Sequence, residues 1–307
     1  AQRACVSLLL NAPNRPAPSL MQLPPLLALM RPHQWLKNVF VFAGLVFSQS
    51  WHDAGRVTLV LSAFGVFCLF SSAVYIVNDW RDRDSDALHP TKRLRPLASG
   101  AVGPGVAFAL AALLAAGGVA LANGNRTLLG LIALYVASNV AYSWWLKRVP
   151  VVDVFSIALG FMLRLLAGTV GVGIPPSRWL ILTGIFAALF LGFSKRRAET
   201  FQAAASQRSV LGHYPPALLD TFVSVTMTAT LMTYSLFATS PESQAQHGER
   251  LVYTVPIVIF GMLRYAYQVH RGRGEDVARD LLRDPWIVGA LAAWLLVFIA
   301  PLLVASA

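Results

Sequence analysis

Cysteines and charged residues are both scarce in this sequence of 307 residues. Its two cysteines, Cys5 and Cys68, are too few for a disulfide framework or a cysteine-based metal site. Asp, Glu, Lys and Arg together make up 13% of the chain, against 56% hydrophobic residues. Because no water-soluble core of this length requires so apolar a composition, we expect most of the chain to lie in lipid.

Long apolar runs recur from residue 39 to residue 305. They predict an all-α fold, a polytopic membrane helical bundle with about nine transmembrane helices. The predicted spans are 33–50, 57–79, 104–122, 127–146, 151–172, 178–194, 217–238, 251–270 and 285–305. We expect residues 1–29 to form a disordered tail that is rich in proline, and residues 30–307 to form a single integral-membrane domain.

Acidic residues are few, with 14 against 25 lysines and arginines, and the formal net charge is +11. In a soluble protein such a charge would favour nucleic-acid binding. Here most of the basic residues fall in alternate connections between the predicted spans. The positive-inside rule therefore predicts a multi-pass protein of the cell membrane with a cytoplasmic amino terminus and an outside carboxyl terminus. Anionic lipid or a phosphorylated substrate is the expected partner, rather than nucleic acid.

The most informative stretch ends the second span, where four aspartates lie within the eight residues from Asp79 to Asp86. If the helix continues, Asn78, Asp82 and Asp86 share one face and Asp79 lies beside Asp82. Carboxylates so close repel each other unless a cation lies among them. Oxygen ligands without histidine or cysteine suit Mg²⁺ that is shared with substrate phosphates. The alternative is a solvated helix end in which the two interleaved arginines pair with the aspartates.

The pattern Asn78-Asp79-x-x-Asp82-x-x-x-Asp86 is followed by a stretch that runs from Arg95 to Gly100 and reads RPLASG. Together they resemble the first aspartate motif of the UbiA superfamily of membrane prenyltransferases, and the resemblance covers the chain from about residue 30 onward. It implies a catalytic and metal-binding role for Asp79, Asp82 and Asp86. In that superfamily the aspartates hold Mg²⁺, which binds a substrate diphosphate and draws charge off the leaving group.

Most members of that superfamily carry a second Asp-x-x-x-Asp motif after the sixth helix, and this chain departs from it. The corresponding place reads Lys195-Arg196-Arg197-Ala198-Glu199. Cations there suit phosphate better than a second metal ion, unless they are an ordinary basic anchor at a helix end. A pattern of Asp276, Asp280 and Asp284 before the last span could imitate the missing motif, but its interleaved arginines favour a salt-bridged surface helix.

Four further segments, at 30–38, 89–96, 160–164 and 253–256, resemble the decaprenyl-phosphate phosphoribosyltransferase branch of the superfamily. This resemblance implies a Mg²⁺-dependent transfer of 5-phosphoribosyl from 5-phosphoribosyl 1-diphosphate to a polyprenyl phosphate, for lipid-linked arabinose donors of the cell wall. One alternative is a prenyltransferase that moves a prenyl chain from a prenyl diphosphate to an aromatic or quinone-precursor acceptor. Another is a transporter with an acidic cation site. A homo-oligomer is left open.

Several polar residues lie inside predicted spans, where transfer of a polar side chain into lipid costs free energy. Lys37 and Asn38 fall inside the first span, which favours substrate contact for Lys37 over snorkelling to the interface. Arg164 lies roughly 20 Å into the fifth span at helical rise, where it would meet a phosphate or bond neighbouring helices. Asp153 is expected to orient a neighbouring cation. The predicted substrate-binding residues are Lys37, Asn38, Asn78, Lys92, Arg95, Tyr142, Lys147, Arg164, Lys195, Arg196 and Glu199.

Overall fold

The computed structural model describes residues 23–201, 209–273 and 281–305, and regular structure in these ranges is helical throughout. The α-helices are α1 Pro25–Met30, α2 Ala43–Phe47, α3 Ala54–Ala87, α4 Pro104–Leu121, α5 Arg126–Trp144, α6 Val152–Ala167, α7 Arg178–Thr200, α8 Pro216–Thr239, α9 Pro241–His247, α10 Thr254–His270 and α11 Pro285–Ala305. Short 3₁₀ helices connect them at Pro32–Phe42, Ser50–His52, Lys92–Leu94, Leu146–Arg148, Val170–Val172, Ser209–His213 and Glu249–Tyr253.

Six of these helices are long and apolar enough to cross a membrane: α3, α4, α5, α7, α8, and α6 together with the 3₁₀ turn that extends it to Val172. The predicted polytopic helical bundle is therefore confirmed, and the chain is a multi-pass membrane protein. Helix α10 has 17 residues, and α11 is described at side-chain level only as far as residue 298. The count of nine spans stays a prediction.

Helix α3 is the longest element and carries the acidic motif. Asp53 caps its first turn by accepting hydrogen bonds from the amides of Gly55 and Arg56 at 2.9 and 3.1 Å. Its 34 residues extend about 51 Å at a rise of ~1.5 Å per residue, whereas the hydrocarbon core of a bilayer is about 30 Å thick. The helix therefore continues well beyond the predicted end of the second span at Asp79, and its last turns reach polar surroundings.

The predicted first span, 33–50, is not one continuous α-helix, because a 3₁₀ helix and the short α2 share it. This segment lies against the end of α6 with unusually close backbones. A Cβ at Gly168 would lie 1.6 Å from the carbonyl oxygen of Val41, and a Cβ at Gly44 would lie 2.2 Å from that of Gly168. Only glycine permits such an approach. The contact fixes the first segment, and with it Lys37 and Asn38, against α6.

Successive long helices run in alternate directions, so the ends of α3, α5 and α7 and the beginnings of α4, α6 and α8 lie at the same end of the bundle. One apolar cluster fills the space among α3, α5 and α6, and a second fills the space among α7, α8 and α10. The helices that carry the candidate residues therefore pack against these two clusters.

The predicted tail of residues 1–29 needs a correction at its end. Helix α1 begins at Pro25, and Leu29 is fully buried in an apolar cluster with Ala73 and Ile76 of α3. Burial of this leucine orders the chain five residues before the predicted start of the domain. Residues 1–22 lie outside the described residues.

Candidate functional site

The acidic motif occupies the last turns of α3, and the condition for its predicted stripe is met because the helix continues to Ala87. Asp79 and Asp86 are both 4% exposed, whereas the side chain of Asp82 is 44% exposed. Asp79 and Asp86 are two helical turns apart, so both carboxylates face the same side of α3. Two buried carboxylates this close require compensating positive charge.

Two arginines from different parts of the chain supply that charge. Nη1 of Arg95 donates to Oδ2 of Asp86 at 2.6 Å and to Oδ1 of Asp79 at 3.1 Å. Arg31, which precedes the first segment, also donates to Oδ1 of Asp79, and its guanidinium lies 5.3 Å from the ring centre of Tyr75. Arg95, which follows Asp86 by nine residues, folds back over the motif and is an ion-pair partner of both aspartates.

The end of α5 meets the same face of α3. Ser143 donates to the side-chain oxygen of Asn78 at 2.9 Å, and Nζ of Lys147 lies 3.8 Å from Oδ1 of Asp82. The two interleaved arginines differ from each other. Arg83 pairs with Asp84, as the alternative interpretation of the motif holds, whereas Arg81 lies over the ring of Trp144 at 5.2 Å. Asp79, Asp82 and Asp86 instead have partners from distant segments.

The donor set fits a hard divalent cation in its chemistry, since it consists of carboxylate and amide oxygens. Within the described ranges, however, no group of three or more His, Cys, Asp or Glu side chains converges closely enough to hold a metal ion. The guanidinium of Arg95 stands between Asp79 and Asp86, where such a cation would be needed. A metal ion could therefore share these two carboxylates only if Arg95 moved aside.

The basic cluster after the sixth span is centred on Arg196, which is completely buried. Its Nε donates to Oδ2 of Asp153 at 2.6 Å, its Nη1 to Glu199 at 2.5 Å and its Nη2 to the hydroxyl of Tyr142 at 3.1 Å. Contact of Arg196 and Glu199 with substrate stays a prediction, and in the structure the two side chains neutralise each other within the protein. Asp153 orients a cation as predicted, and Arg197 pairs with Asp220 at 2.6 Å.

Tyr214, in the connection between α7 and α8, completes this network and was not predicted from the sequence. Its hydroxyl donates to Oδ1 of Asp153 at 2.7 Å and accepts the amide hydrogen of Val151. Burial raises the pKa of Tyr214 to about 12, so the hydroxyl keeps its proton at neutral pH. A single tyrosine beside two prolines gives no sequence signal for such a role.

Arg164 and Asn38 belong to a separate network deep in the bundle. The Nε of Arg164 donates to Asn38 at 2.7 Å, while its Nη1 donates to the carbonyl of Gly160 at 2.7 Å and its Nη2 to the hydroxyl of Tyr135 at 3.1 Å. Asn38 is fully buried, and its amide nitrogen also contacts Ser71 of α3. Of the two roles considered for Arg164, the structure supports the bonding of neighbouring helices. The expectation that Asn38 contacts substrate stays a prediction.

The remaining predicted lysines lie at the edges of these networks. Lys37 and Lys195 are partly buried, and Lys92 is exposed at the start of the 3₁₀ helix Lys92–Leu94. Their contact with substrate stays a prediction. Asp276 and Asp280 lie outside the described residues, and Asp284 pairs with Arg264 at 2.9 Å and caps α11 instead of joining the acidic motif.

An apolar cavity of about 370 Å³ lies among α7, α8, α10 and α11, and a smaller one of about 160 Å³ adjoins it toward the first segment. Thr183, Ala187 and Tyr234 line both cavities. The lining is almost entirely hydrocarbon, which suits an apolar chain rather than a phosphate.

Comparison with solved structures identifies the fold. The chain superimposes with a TM-score of 0.67 on a UbiA homolog from Archaeoglobus fulgidus bound to GPP and Mg²⁺, at 18% identity, over 92% of this chain and 100% of that one. It superimposes with a TM-score of 0.64 on digeranylgeranylglyceryl phosphate synthase, at 16% identity, over 90% and 96% of the two chains.

Comparison with curated sequences gives closer similarities. A decaprenyl-phosphate phosphoribosyltransferase from Corynebacterium glutamicum is 36% identical over 86% of this chain and 82% of its own length. Proteins of the same name from Mycolicibacterium smegmatis and Mycobacterium tuberculosis are 33% and 35% identical, over 88% and 86% of this chain and 90% and 93% of theirs. The model of the UbiA prenyltransferase family matches residues 38–283. The chain therefore belongs to the UbiA prenyltransferase family.

Proposed function

We propose that this chain transfers the 5-phosphoribosyl group of 5-phosphoribosyl 1-diphosphate to a polyprenyl phosphate of the decaprenyl type, with release of diphosphate. Similarity over 86–88% of this chain to three proteins named decaprenyl-phosphate phosphoribosyltransferase supports this activity. The observation that carries it at the site is the concentration of cations around the acidic motif, where Arg31, Arg95 and Lys147 each contact an aspartate. A donor with three phosphate groups needs such a surplus of positive charge.

Asp79, Asp82 and Asp86, with Asn78 beside them, are the residues that would hold Mg²⁺ in this proposal. When bound, Mg²⁺ supplies charge neutralisation for the diphosphate that leaves. The structural neighbour that binds GPP and Mg²⁺ has the same fold, which supports a divalent cation in this chain. In this scheme Arg95 pairs with Asp79 and Asp86 in the free protein and would turn to a donor phosphate when those carboxylates serve as Mg²⁺ ligands.

The proposal gives different roles to the cations near the acidic motif and to the buried Arg196. Arg31, Arg95 and Lys147 lie at the acidic motif with side chains 20, 29 and 33% exposed, and we assign them to the donor phosphates, together with Lys37, Lys92 and Lys195. Arg196 instead holds Tyr142 and Glu199 in place. Its carboxylate partners already neutralise it, which leaves it no capacity for a substrate phosphate.

In the proposed reaction a phosphate oxygen of the polyprenyl phosphate forms a bond to ribose C1 as the bond from C1 to the diphosphate oxygen breaks. A phosphate monoester is already anionic near neutral pH, so no side chain has to remove a proton. Positioning and charge stabilisation supply the catalysis. The apolar cavity among α7, α8, α10 and α11 offers space for part of the polyprenyl chain.

We further propose that the end of the bundle that carries the acidic motif faces the cytoplasm, with the amino terminus on that side and the carboxyl terminus outside. The basic residues of the connections after α3 and α5 and those in the last turns of α7 lie at this end, in agreement with the positive-inside rule. A phosphoribosyl donor made in the cytoplasm would then reach the site without crossing the membrane.

The test is transfer of label to lipid. Purified protein in detergent would be incubated with Mg²⁺, 5-phosphoribosyl 1-diphosphate labelled in the ribose and polyprenyl phosphate, and the organic phase would be counted. We expect label there only when all three are present. Absence of transfer, with activity on a prenyl diphosphate and an aromatic acid, would refute the proposal in favour of the aromatic prenyltransferase alternative.

Arg196 between Asp153 and Glu199 disfavours that alternative, because it occupies carboxylates near the usual second metal motif.

A further inference from the structure

The hydroxyl of Tyr214 joins two connections at the end of the bundle that carries the acidic motif. Tyr214 is 3% exposed and lies between the 3₁₀ helix Ser209–His213 and α8. As donor it bonds Asp153 in the first turn of α6, and as acceptor it bonds the amide of Val151 just before that helix. One buried oxygen therefore ties the connection between α7 and α8 to the turn between α5 and α6.

The turn that Tyr214 holds is strained. Val151 has a φ of +68°, a conformation that a β-branched residue rarely adopts and that persists only where the surroundings enforce it. This turn directly follows the 3₁₀ helix Leu146–Arg148, which presents Lys147 to Asp82 at 3.8 Å. Release of the Val151 amide would let the turn relax to an ordinary φ and would shift the helix that carries Lys147.

A second route leads from the same hydroxyl to Tyr142. Oδ1 of Asp153 accepts from Tyr214, while Oδ2 of the same carboxylate accepts from Arg196. Arg196 in turn donates to the hydroxyl of Tyr142 on α5. Loss of the Tyr214 hydroxyl would leave one oxygen of a fully buried carboxylate without its donor, and the carboxylate would reorient toward other donors.

We propose that Tyr214 is a positioning residue for the diphosphate subsite, which places Lys147 through the Val151 turn and Tyr142 through Asp153 and Arg196. This inference rests on the proposed function, because it takes Lys147 and Tyr142 as part of the donor site. Tyr214 itself contacts neither the acidic motif nor the donor, since its hydroxyl is engaged by Asp153 and Val151.

The test compares two buried hydroxyls in different parts of the bundle. Tyr214→Phe and Thr254→Val each delete one buried hydroxyl that makes two hydrogen bonds, and that of Thr254 bonds Tyr234 at 2.7 Å and the carbonyl of Leu251 at 2.5 Å. Thr254 begins α10, and its partner Tyr234 lies about 27 Å along α8 from the first residue of that helix, at a rise of ~1.5 Å per residue. A purely structural role predicts the same result for both variants, namely a lower melting temperature and unchanged substrate affinity.

The measurement is the pyrophosphate concentration that gives half-maximal thermal stabilisation of the full chain in detergent with excess Mg²⁺. We expect Tyr214→Phe to raise this midpoint about tenfold, which corresponds to about 1.4 kcal/mol, and Thr254→Val to leave it unchanged. The KM for 5-phosphoribosyl 1-diphosphate should rise in parallel, with little change in kcat. Equal midpoints in the two variants would overturn the inference.

A rescue variant tests the route through the turn. Glycine holds a positive φ without support, so Val151→Gly added to Tyr214→Phe should recover much of the lost affinity. Absence of recovery would overturn that route.

The outcomes also separate this inference from the proposed function. If the wild-type chain transfers no phosphoribosyl label but pyrophosphate still distinguishes the two variants, the proposed function fails and the positioning role stands. If the wild-type chain transfers label but the pyrophosphate midpoints of the two variants are equal, the proposed function stands and the positioning role fails.

Discussion

Replacement of Arg95 by alanine tests whether the aspartates of α3 form a cation site. The variant removes the guanidinium that lies 2.6 Å from Asp86 and 3.1 Å from Asp79. Loss of one partner from a buried ion pair costs about 3–5 kcal/mol. Because the Arg95 side chain is 29% exposed and Arg31 still pairs with Asp79, we expect the lower end, about 3 kcal/mol of unfolding free energy. Excess Mg²⁺ should restore most of this loss, since the freed carboxylates then have a cation to bind.

The assay is equilibrium unfolding in detergent, with and without excess Mg²⁺. Arg83→Ala is the matched control, because Arg83 pairs with Asp84 at 3.3 Å and both side chains are largely exposed. We expect this control to lose less than about 1 kcal/mol and to be indifferent to Mg²⁺. Equal losses in the two variants, or a Mg²⁺ effect of the same size in both, would refute the reasoning.

Three further predictions concern other parts of the molecule. Asp82→Asn should abolish label transfer without a change in the circular dichroism spectrum, and a fully active variant would remove the argument for a metal site. Arg164→Leu should lower the unfolding free energy by at least about 2 kcal/mol, since it leaves buried acceptors unsatisfied; unchanged denaturant unfolding would contradict this. Gly168→Ala should abolish the monodisperse peak in size-exclusion chromatography because its Cβ would meet the Val41 carbonyl, whereas Gly130→Ala, with nothing within 4 Å, should keep it. A normal peak for the first variant would mean that the backbones can separate.

Hydropathy predicts most of the fold because a lipid-facing helix must be apolar along its whole length and must satisfy its own backbone hydrogen bonds. Local signals also mark helix starts, as at Asp53 and at Ser177, whose hydroxyl accepts from the amide of Leu180 at 3.1 Å. Hydropathy did not predict the course of the first span, which is not one continuous α-helix. Its course depends on the close contact of Gly44 with Gly168, which no local pattern of hydrophobic residues encodes.

The candidate site is only half predictable for a similar reason. The spacing of Asp79, Asp82 and Asp86 follows from helical periodicity, and so does the expectation that they share a cation. The partner Arg31 lies 48 residues before Asp79 and Asp153 lies 43 residues before Arg196. Pairs at such separations depend on how the helices pack, so the sequence alone could not decide whether Arg196 binds phosphate or carboxylate.

Exposure and partner count distinguish the two kinds of cation in this bundle. Arg196 is completely buried and already bonded to two carboxylates, so a substrate phosphate would first have to displace them at the cost of leaving buried charges unpaired. Arg95 and Lys147 are about one-third exposed, and they contact Asp86 and Asp82, which are proposed ligands of a metal ion. If those carboxylates held Mg²⁺, these two side chains would be available to pair with donor phosphates. The proposed site thus requires Arg95 and Lys147 to be able to move and Arg196 to stay fixed, and the ion pairs that Asp79, Asp82 and Asp86 of α3 and Arg196 of α7 make are arranged in that way.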